Sequence, residues 1–181
     1  ARDYRLTAET GRHLAVWMTF EDTIRVAQLK MRQSRLDRVR AEVRAKATEP
    51  VHVTEFMKPG PEELFGLLPP KTARRILGWV ERKGLGQRLT FPMKVRTTTV
   101  MGFGRLWVLS RLRRWRPRSW RWAEEQALIE QWLDLVRRAG EIDRSLGLEV
   151  AQLARLVKGY GETNKRGRAN FLAIVEAVAE P

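Results

Sequence analysis

The sequence predicts a mainly α fold, a multi-helix bundle with at most a short two-stranded β ribbon. Three observations support that expectation. Apolar residues recur at steps of three and four along most of the 181 residues, the period that gathers them on one face of a helix. Only two short stretches alternate instead, the period-2 mark of a strand. Pro and Gly gather between these segments as punctuation. The length suits one helical domain, 1–181, able to bury roughly 70% of its unfolded surface.

The elements follow in order. Leu14, Trp17, Phe20, Ile24, Ala27 and Met31 make the first stripe, expected down one helix face. The charged tract Arg32 to Lys46 either continues this helix or begins another after a kink. Pro50, Pro59, Gly60 and Pro61 then break the pattern. Pro61 with Glu62 and Glu63 reads as a first helical turn. Proline there gives up no needed N–H, and the acids face the positive end of the helix dipole. Pro69 and Pro70 are expected to end that short helix, and another runs from Lys71 to Lys83, stopped by Gly84 and Gly86. Val51, Val53 and Glu55 share one face of the first expected strand. Leu89, Phe91, Met93 and Val95 share a face of the second, which Pro92 confines to an edge. Helices resume from Val100. Trp122, Ile129, Trp132, Leu133 and Val136 form a stripe expected to end at Arg137, Arg138 and Gly140. Ile142, Leu146, Val150, Leu153 and Val157 form the next, and Phe171, Ile174, Val175 and Val178 the last. There are no internal repeats.

Charge is the strongest compositional feature, with 35 Lys and Arg against 21 Asp and Glu, a net +14. Such a balance implies an anionic partner: nucleic acid, an acidic protein, a phosphorylated cofactor or an anionic membrane surface. Cysteine is absent, which removes disulfides, iron–sulfur ligation and zinc–thiolate sites and fits a reducing, cytoplasmic setting. No run approaches the ~20 apolar residues of a membrane helix, so a soluble chain is expected. The first residue is Ala1 rather than Met, so we expect an excised or processed piece of something longer.

Catalytic constellations are weak. The only histidines, His13 and His52, fall on different elements with no thiolate to join them. No acids are spaced as a calcium loop requires. No G-x-S-x-G elbow occurs, and the pairs Glu62–Glu63 and Glu124–Glu125 sit where a helix dipole accounts for them. Three G-x-G units occur, at Gly84/Gly86, Gly102/Gly104 and Gly159/Gly161, but Leu89, Trp107 and Asn164 stand where a dinucleotide fingerprint needs its third glycine. Gly161 and Gly167 are wrongly spaced for a phosphate loop and lack its Lys-Ser/Thr pair. Neither nucleotide-binding device is present.

Two stretches remain. "LSRLRRWRPRSWRW", Leu109 to Trp122, holds Arg111, Arg113, Arg114, Arg116, Arg118 and Arg121 with no acid, interleaved with Trp115, Trp120 and Trp122. Arginine forks bind phosphate and tryptophan stacks on unpaired bases, so single-stranded nucleic acid is one reading; a membrane surface is another. A helix–helix corner in which arginine stems cover tryptophan faces, or a protein-facing surface, fits better, since no RNA- or DNA-binding fold pattern accompanies the segment. The partner-interface candidates are therefore Arg111, Arg113, Arg114, Trp115, Arg116, Arg118, Trp120 and Arg121. The second stretch is "LVKGYGETNKRGRANF", Leu156 to Phe171. Gly159 or Gly161 is expected to end one helix, and Thr163 or Asn164 to cap the next. Lys165, Arg166 and Arg168 would then lie in a first turn, where the dipole disfavours cations unless an anion is present. With Lys158 they are candidates to meet a carboxylate or phosphate; plain solvation is the alternative.

This second stretch also resembles the closing motif of the indolepyruvate ferredoxin oxidoreductases, through Gly159, Tyr160, Gly161, Lys165 and Asn170. The phrases "GRHLAVWMTFEDTIRVAQLK", "VTEFMKPGPEELFGLLPP", "MKVRTTTVMGFGRLWVL" and "RWRPRSWRWAEEQALIEQWL" resemble, in order, the C-terminal region of that family's short beta subunit. The resemblance implies an enzyme system that oxidatively decarboxylates arylpyruvates with thiamine diphosphate, Mg, an iron–sulfur cluster and coenzyme A, and passes electrons to ferredoxin. It places none of those cofactors on this chain, which has no cysteine and no GDG-type diphosphate site, and it carries no catalytic residue onto it. The implied role is a non-catalytic accessory domain. Its implied partners are the thiamine-diphosphate-binding catalytic subunit and acidic or phosphorylated molecules such as ferredoxin or coenzyme A. A basic nucleic-acid-binding domain using segment 109–122 is the alternative.

Overall fold

A computed structural model describes residues 4–18, 22–86, 88–157 and 161–179. The fold is mainly α: among the described residues there are nine α-helices and one two-stranded antiparallel sheet. The chain divides into two compact units, Ala1–Phe20 with Glu124–Pro181, and Glu21–Ala123.

The first unit contains α1 (Arg5–Met18), most of α7 (Trp120–Ile142), α8 (Arg144–Gln152), a 3-10 turn at Leu153–Leu156, and α9 (Gly161–Ala179). Its core is aromatic. Trp132 is fully buried; its ring centroid lies 5.6 Å from that of Trp17, which meets Phe171 edge-on at 5.7 Å. Both indoles find acceptors, as buried N–H groups must: Trp132 Nε1 donates to Val150 O at 3.1 Å and Trp17 Nε1 to Glu125 Oε2 at 2.8 Å.

Gly140 does not stop α7, contrary to the expectation from sequence. The helix runs on to Ile142, and Asp143 caps α8 by accepting from the backbone N–H groups of Ser145 and Leu146. Gly140 is instead a notch. A Cβ there would come within 2.8 Å of Leu6 Cδ2, and one on Gly147 within 2.9 Å of Gly140 Cα. Ile142, expected on the α8 stripe, is 80% exposed, because it precedes the cap and does not share the helix's phase.

His13 is buried on α1. Arg12 Nη2 lies 2.9 Å from His13 Nε2; a guanidinium only donates, so Nε2 is the accepting nitrogen. Burial, then the adjacent Arg12 charge, pushes the imidazole below the usual histidine pKa, and Glu9 opposes them.

The second unit contains α2 (Thr23–Lys30), α3 (Gln33–Glu42), β1 (Thr54–Met57), α4 (Pro61–Phe65), α5 (Pro70–Arg82), β2 (Met93–Arg96) and α6 (Val100–Arg111). The stripe from Leu14 to Met31, expected on one helix, belongs to two. α1 and α2 are separate, and Asp22 caps the second by accepting from Arg25 N at 2.6 Å. Trp17 thus serves one core, while Ile24 and Ala27 are buried in the other unit. A further break at the extended Arg32 starts α3, one of the two outcomes expected for the charged tract.

The ribbon pairs Thr54 with Arg96 and Glu55 with Val95. Glu55, the acid on its inner face, is held by Lys30 at 2.7 Å and by Arg35, so its burial leaves no lone charge. Pro61 opens α4 as expected, with Glu63 accepting from Gly60 N at 2.9 Å. The two prolines do not end α4, which stops at Phe65; Pro70 opens α5 from the first-turn position that suits proline. α5 ends at Arg82, and Gly84 takes the left-handed φ of 62° that follows. Ala27, Val95 and Leu106 form a buried cluster that joins α2, β2 and α6.

Candidate functional site

The Arg/Trp segment is the corner of the second unit. It runs from the end of α6 through 3-10 turns at Leu112–Arg114 and Arg116–Arg118 into the start of α7. Three consecutive carbonyls after α4 receive it. Gly66 O accepts from Arg121 N at 3.0 Å, Leu67 O from Trp115 Nε1 at 2.9 Å, and Leu68 O from Trp120 N at 2.8 Å. The first N–H groups of a helix have no partner within it, and here α4's outgoing strand of chain supplies acceptors for two of them. Ser119, fully buried, accepts from Trp122 N and donates to Arg116 O.

Arg116 is a structural cation. Its Nε and Nη2 reach Asp22 Oδ2 and Oδ1 at 2.6 and 2.8 Å, a two-point grip on the same carboxylate that caps α2. Other arginines cover rings: Arg111 stacks over Trp107 at 4.5 Å and Arg118 over Trp115 at 5.7 Å. Arg121 and Trp120 are partly buried, whereas Arg113 and Arg114 are exposed and carry no ion pair among the described residues. Of the eight interface candidates, then, the structure draws Arg116, Trp115 and Trp120 into the fold and leaves Arg113 and Arg114 in solvent.

Sequence reasoning missed the surface beside them. α6 buries Gly102 and Leu106 against the unit but leaves its other side bare. Val100, Met101 and Val108 are 94%, 69% and 59% exposed, and Phe103, Trp107 and Leu112 are also exposed. The charged members of this side are Arg105 and Arg111. The signal was present in "VMGFGRLWVL", apolar on every face of a helix, a pattern that calls for burial on every face. A contiguous exposed apolar side of this kind marks an interaction surface.

The second stretch is a helical joint. Lys158, Gly159 and Tyr160 lie outside the described residues. α9 begins at Gly161, so Thr163 and Asn164 stand within it rather than capping it, and Arg168 falls in its second turn. Arg168 meets an anion from the protein itself, Glu124 Oε2 at 3.0 Å. Lys165 and Arg166 are exposed. Gly167 sits where a Cβ would collide with Leu156 O at 2.1 Å; its role is close approach of α9 to the preceding turn. Glu124 and Glu125, attributed to the dipole from sequence, instead bind Arg168 and Trp17.

Among the described residues, no three His, Asp or Glu side chains gather to hold a metal ion, and no helix is long and apolar enough to cross a membrane. The fold and site define a basic, mainly α protein with an exposed, arginine-edged apolar helix. Residues 1–177 match the model of DUF6537, a family of unknown function, and the chain belongs to that family. No curated protein and no solved structure matches it.

Proposed function

We propose that this chain is a non-catalytic docking module of a cytoplasmic 2-oxoacid oxidoreductase of the indolepyruvate ferredoxin type. It would serve subunit assembly or the capture of an acidic partner, with ferredoxin as a further candidate. The observation that carries the docking role is the bare side of α6, whose exposed valines, methionine and tryptophan have no use to a monomer. The choice of enzyme rests on the phrases along the chain that resemble that family's beta subunit. Thiamine diphosphate, Mg, the iron–sulfur cluster and coenzyme A belong to the partner in this reading. A nucleic-acid role draws less support: Arg116 is committed to Asp22, Trp115 to Leu67, and two indole faces are already covered by arginine.

The test is affinity purification of the tagged chain from its source cells with nuclease present, followed by an assay for arylpyruvate- and coenzyme-A-dependent reduction of a viologen dye. Recovery of that activity with the tag is expected. Activity that stays wholly in the unbound fraction refutes the assignment, and partners lost only on nuclease treatment would put nucleic acid in its place.

A further inference from the structure

The charge is not spread evenly. Residues 82–123 contain no Asp or Glu and twelve Lys and Arg, so this one stretch carries most of the chain's net +14. It includes β2, α6 and the Arg/Trp corner. Stepping around α6 at 100° per residue, Leu106, Gly102 and Leu109 fall on the packed side. Phe103, Trp107, Val100, Val108 and Met101 follow one another around the other, with Arg111 among them and Arg105 at one edge. Arg113 and Arg114 extend the basic edge past the helix end.

We infer that this side of α6 receives an acidic amphipathic helix of another protein. The inference rests on the docking role proposed above and names the surface and the chemistry of the partner. Three features select it. The apolar strip is one helix wide and about 18 Å long at 1.5 Å per residue, the footprint of a helix laid along a helix, read by partner residues at i, i+3, i+4 and i+7. Every cation on its edge is arginine, whose fork grips carboxylates in two-point contacts, and Arg111 is already held in place over Trp107. The lack of any Asp or Glu in the stretch itself, with Asp22 already committed to Arg116, disfavours a basic partner by repulsion and attracts Asp and Glu flanking the partner's apolar stripe. Val100, Met101 and Val108 decide against nucleic acid, since bases stack on aromatic faces and gain little from aliphatic ones.

The test places the photo-crosslinker p-benzoylphenylalanine at position 101 or 108 of the chain as its source cells make it, and sequences the crosslinked product by mass spectrometry. Expected is a peptide from a different protein, rich in Asp and Glu and with apolar residues at helical spacing. Val100→Asp should lower the crosslink yield at least tenfold while the circular dichroism and thermal midpoint hold, because Val100 makes no buried contact. Crosslinks to a second copy of this chain, to lipid, to nucleic acid or to a basic segment overturn the inference, as does no crosslink in a folded variant. An acidic helix from a protein other than an oxidoreductase sustains this surface and refutes the enzyme assignment. Copurification of the oxidoreductase without crosslinks at 101 or 108 does the reverse.

Discussion

Replacing Asp22 with Asn removes the charge that holds Arg116 but leaves an oxygen able to cap α2, so the two roles of one carboxylate can be separated. The pair is tight, with Nε–Oδ2 at 2.6 Å and Nη2–Oδ1 at 2.8 Å, and side-chain exposures of 20% for Arg116 and 12% for Asp22. An exposed pair is worth about 0–1 kcal/mol, and stripping one partner from a fully buried pair costs about 3–5 kcal/mol. A pair four-fifths buried belongs between these limits, so we expect Asp22→Asn to cost about 2 kcal/mol. Asp22→Ala also removes the acceptor for Arg25 N and should cost about 1 kcal/mol more. Urea unfolding followed by circular dichroism gives these differences, and hydrogen exchange of the α2 amides locates them. A double-mutant cycle with Arg116→Met should return a coupling of about 1.5 kcal/mol or more. Coupling under about 0.5 kcal/mol would mean that the corner is held by its backbone bonds to Gly66 and Leu68 and that Arg116 is dispensable. Arg113→Ala and Arg114→Ala, both in solvent, should stay within about 0.5 kcal/mol of the parent.

Other expectations follow from the first unit. Trp132→Ala should cost about 3–5 kcal/mol through cavity formation. Trp132→Phe should cost about 1 kcal/mol for the hydrogen bond it removes, since Val150 O keeps its bond from Leu153 N; chemical denaturation measures both. Gly147→Ala drives a methyl into Gly140 Cα and should destabilise by about 1–3 kcal/mol. Gly104→Ala, with nothing within 4 Å, should stabilise α6 by about 0.5–1 kcal/mol; the same denaturation series compares them. His13 has its pKa lowered by burial, so the unfolded chain binds a proton that the folded one refuses. Stability is therefore complete above about pH 6.5 and falls as pH drops below it, by at most about 1.4 kcal/mol per pH unit for one proton. His13→Gln should flatten that slope between about pH 7 and 5.5, as read from thermal midpoints.

Local signals in the sequence gave the helices, and distant ones decided where they stop. The period-3.6 stripes placed Ile129, Trp132 and Val136 correctly in a core, whereas the alternation at Val51–Glu55 and Leu89–Val95 announced the ribbon but set both strands too early, since Thr54–Met57 pairs with Met93–Arg96. The stripe through Trp17 and Ile24 kept its phase across a real break. Only the cap at Asp22 reveals the break, and that carboxylate is gripped by an arginine 94 positions away. Asp22 ahead of an apolar run is a readable start signal; its tie to Arg116 is not. Gly140 was ambiguous for the same reason. A glycine before a helix end and a glycine under a crossing side chain look alike until Leu6 is seen above it. The Arg/Trp corner was legible as a turn in which arginines cover tryptophans, whereas the bare side of α6 emerged only once its neighbours were known to occupy one flank.

The acid-free stretch 82–123 imposes a cost on the chain alone, because its twelve cations repel one another with no acid in the stretch to offset them. Among the described contacts of this stretch, Asp22 relieves Arg116, while Arg105, Arg113 and Arg114 have no carboxylate. A surplus that lowers stability is retained to advantage only where another molecule supplies the counter-charge. Salt then acts in opposite directions on two measurable quantities. Raising ionic strength from about 0.05 to 0.5 M shrinks the screening length from about 14 to 4 Å. It should raise the thermal midpoint of the isolated chain and, over the same range, weaken its hold on an acidic partner. If the midpoint falls with salt, the repulsion argument fails, because favourable ion pairs such as Lys30–Glu55 then outweigh it. If partner binding is indifferent to salt while the midpoint rises, the apolar strip of α6 alone carries the interface and its arginines serve only to cover tryptophan.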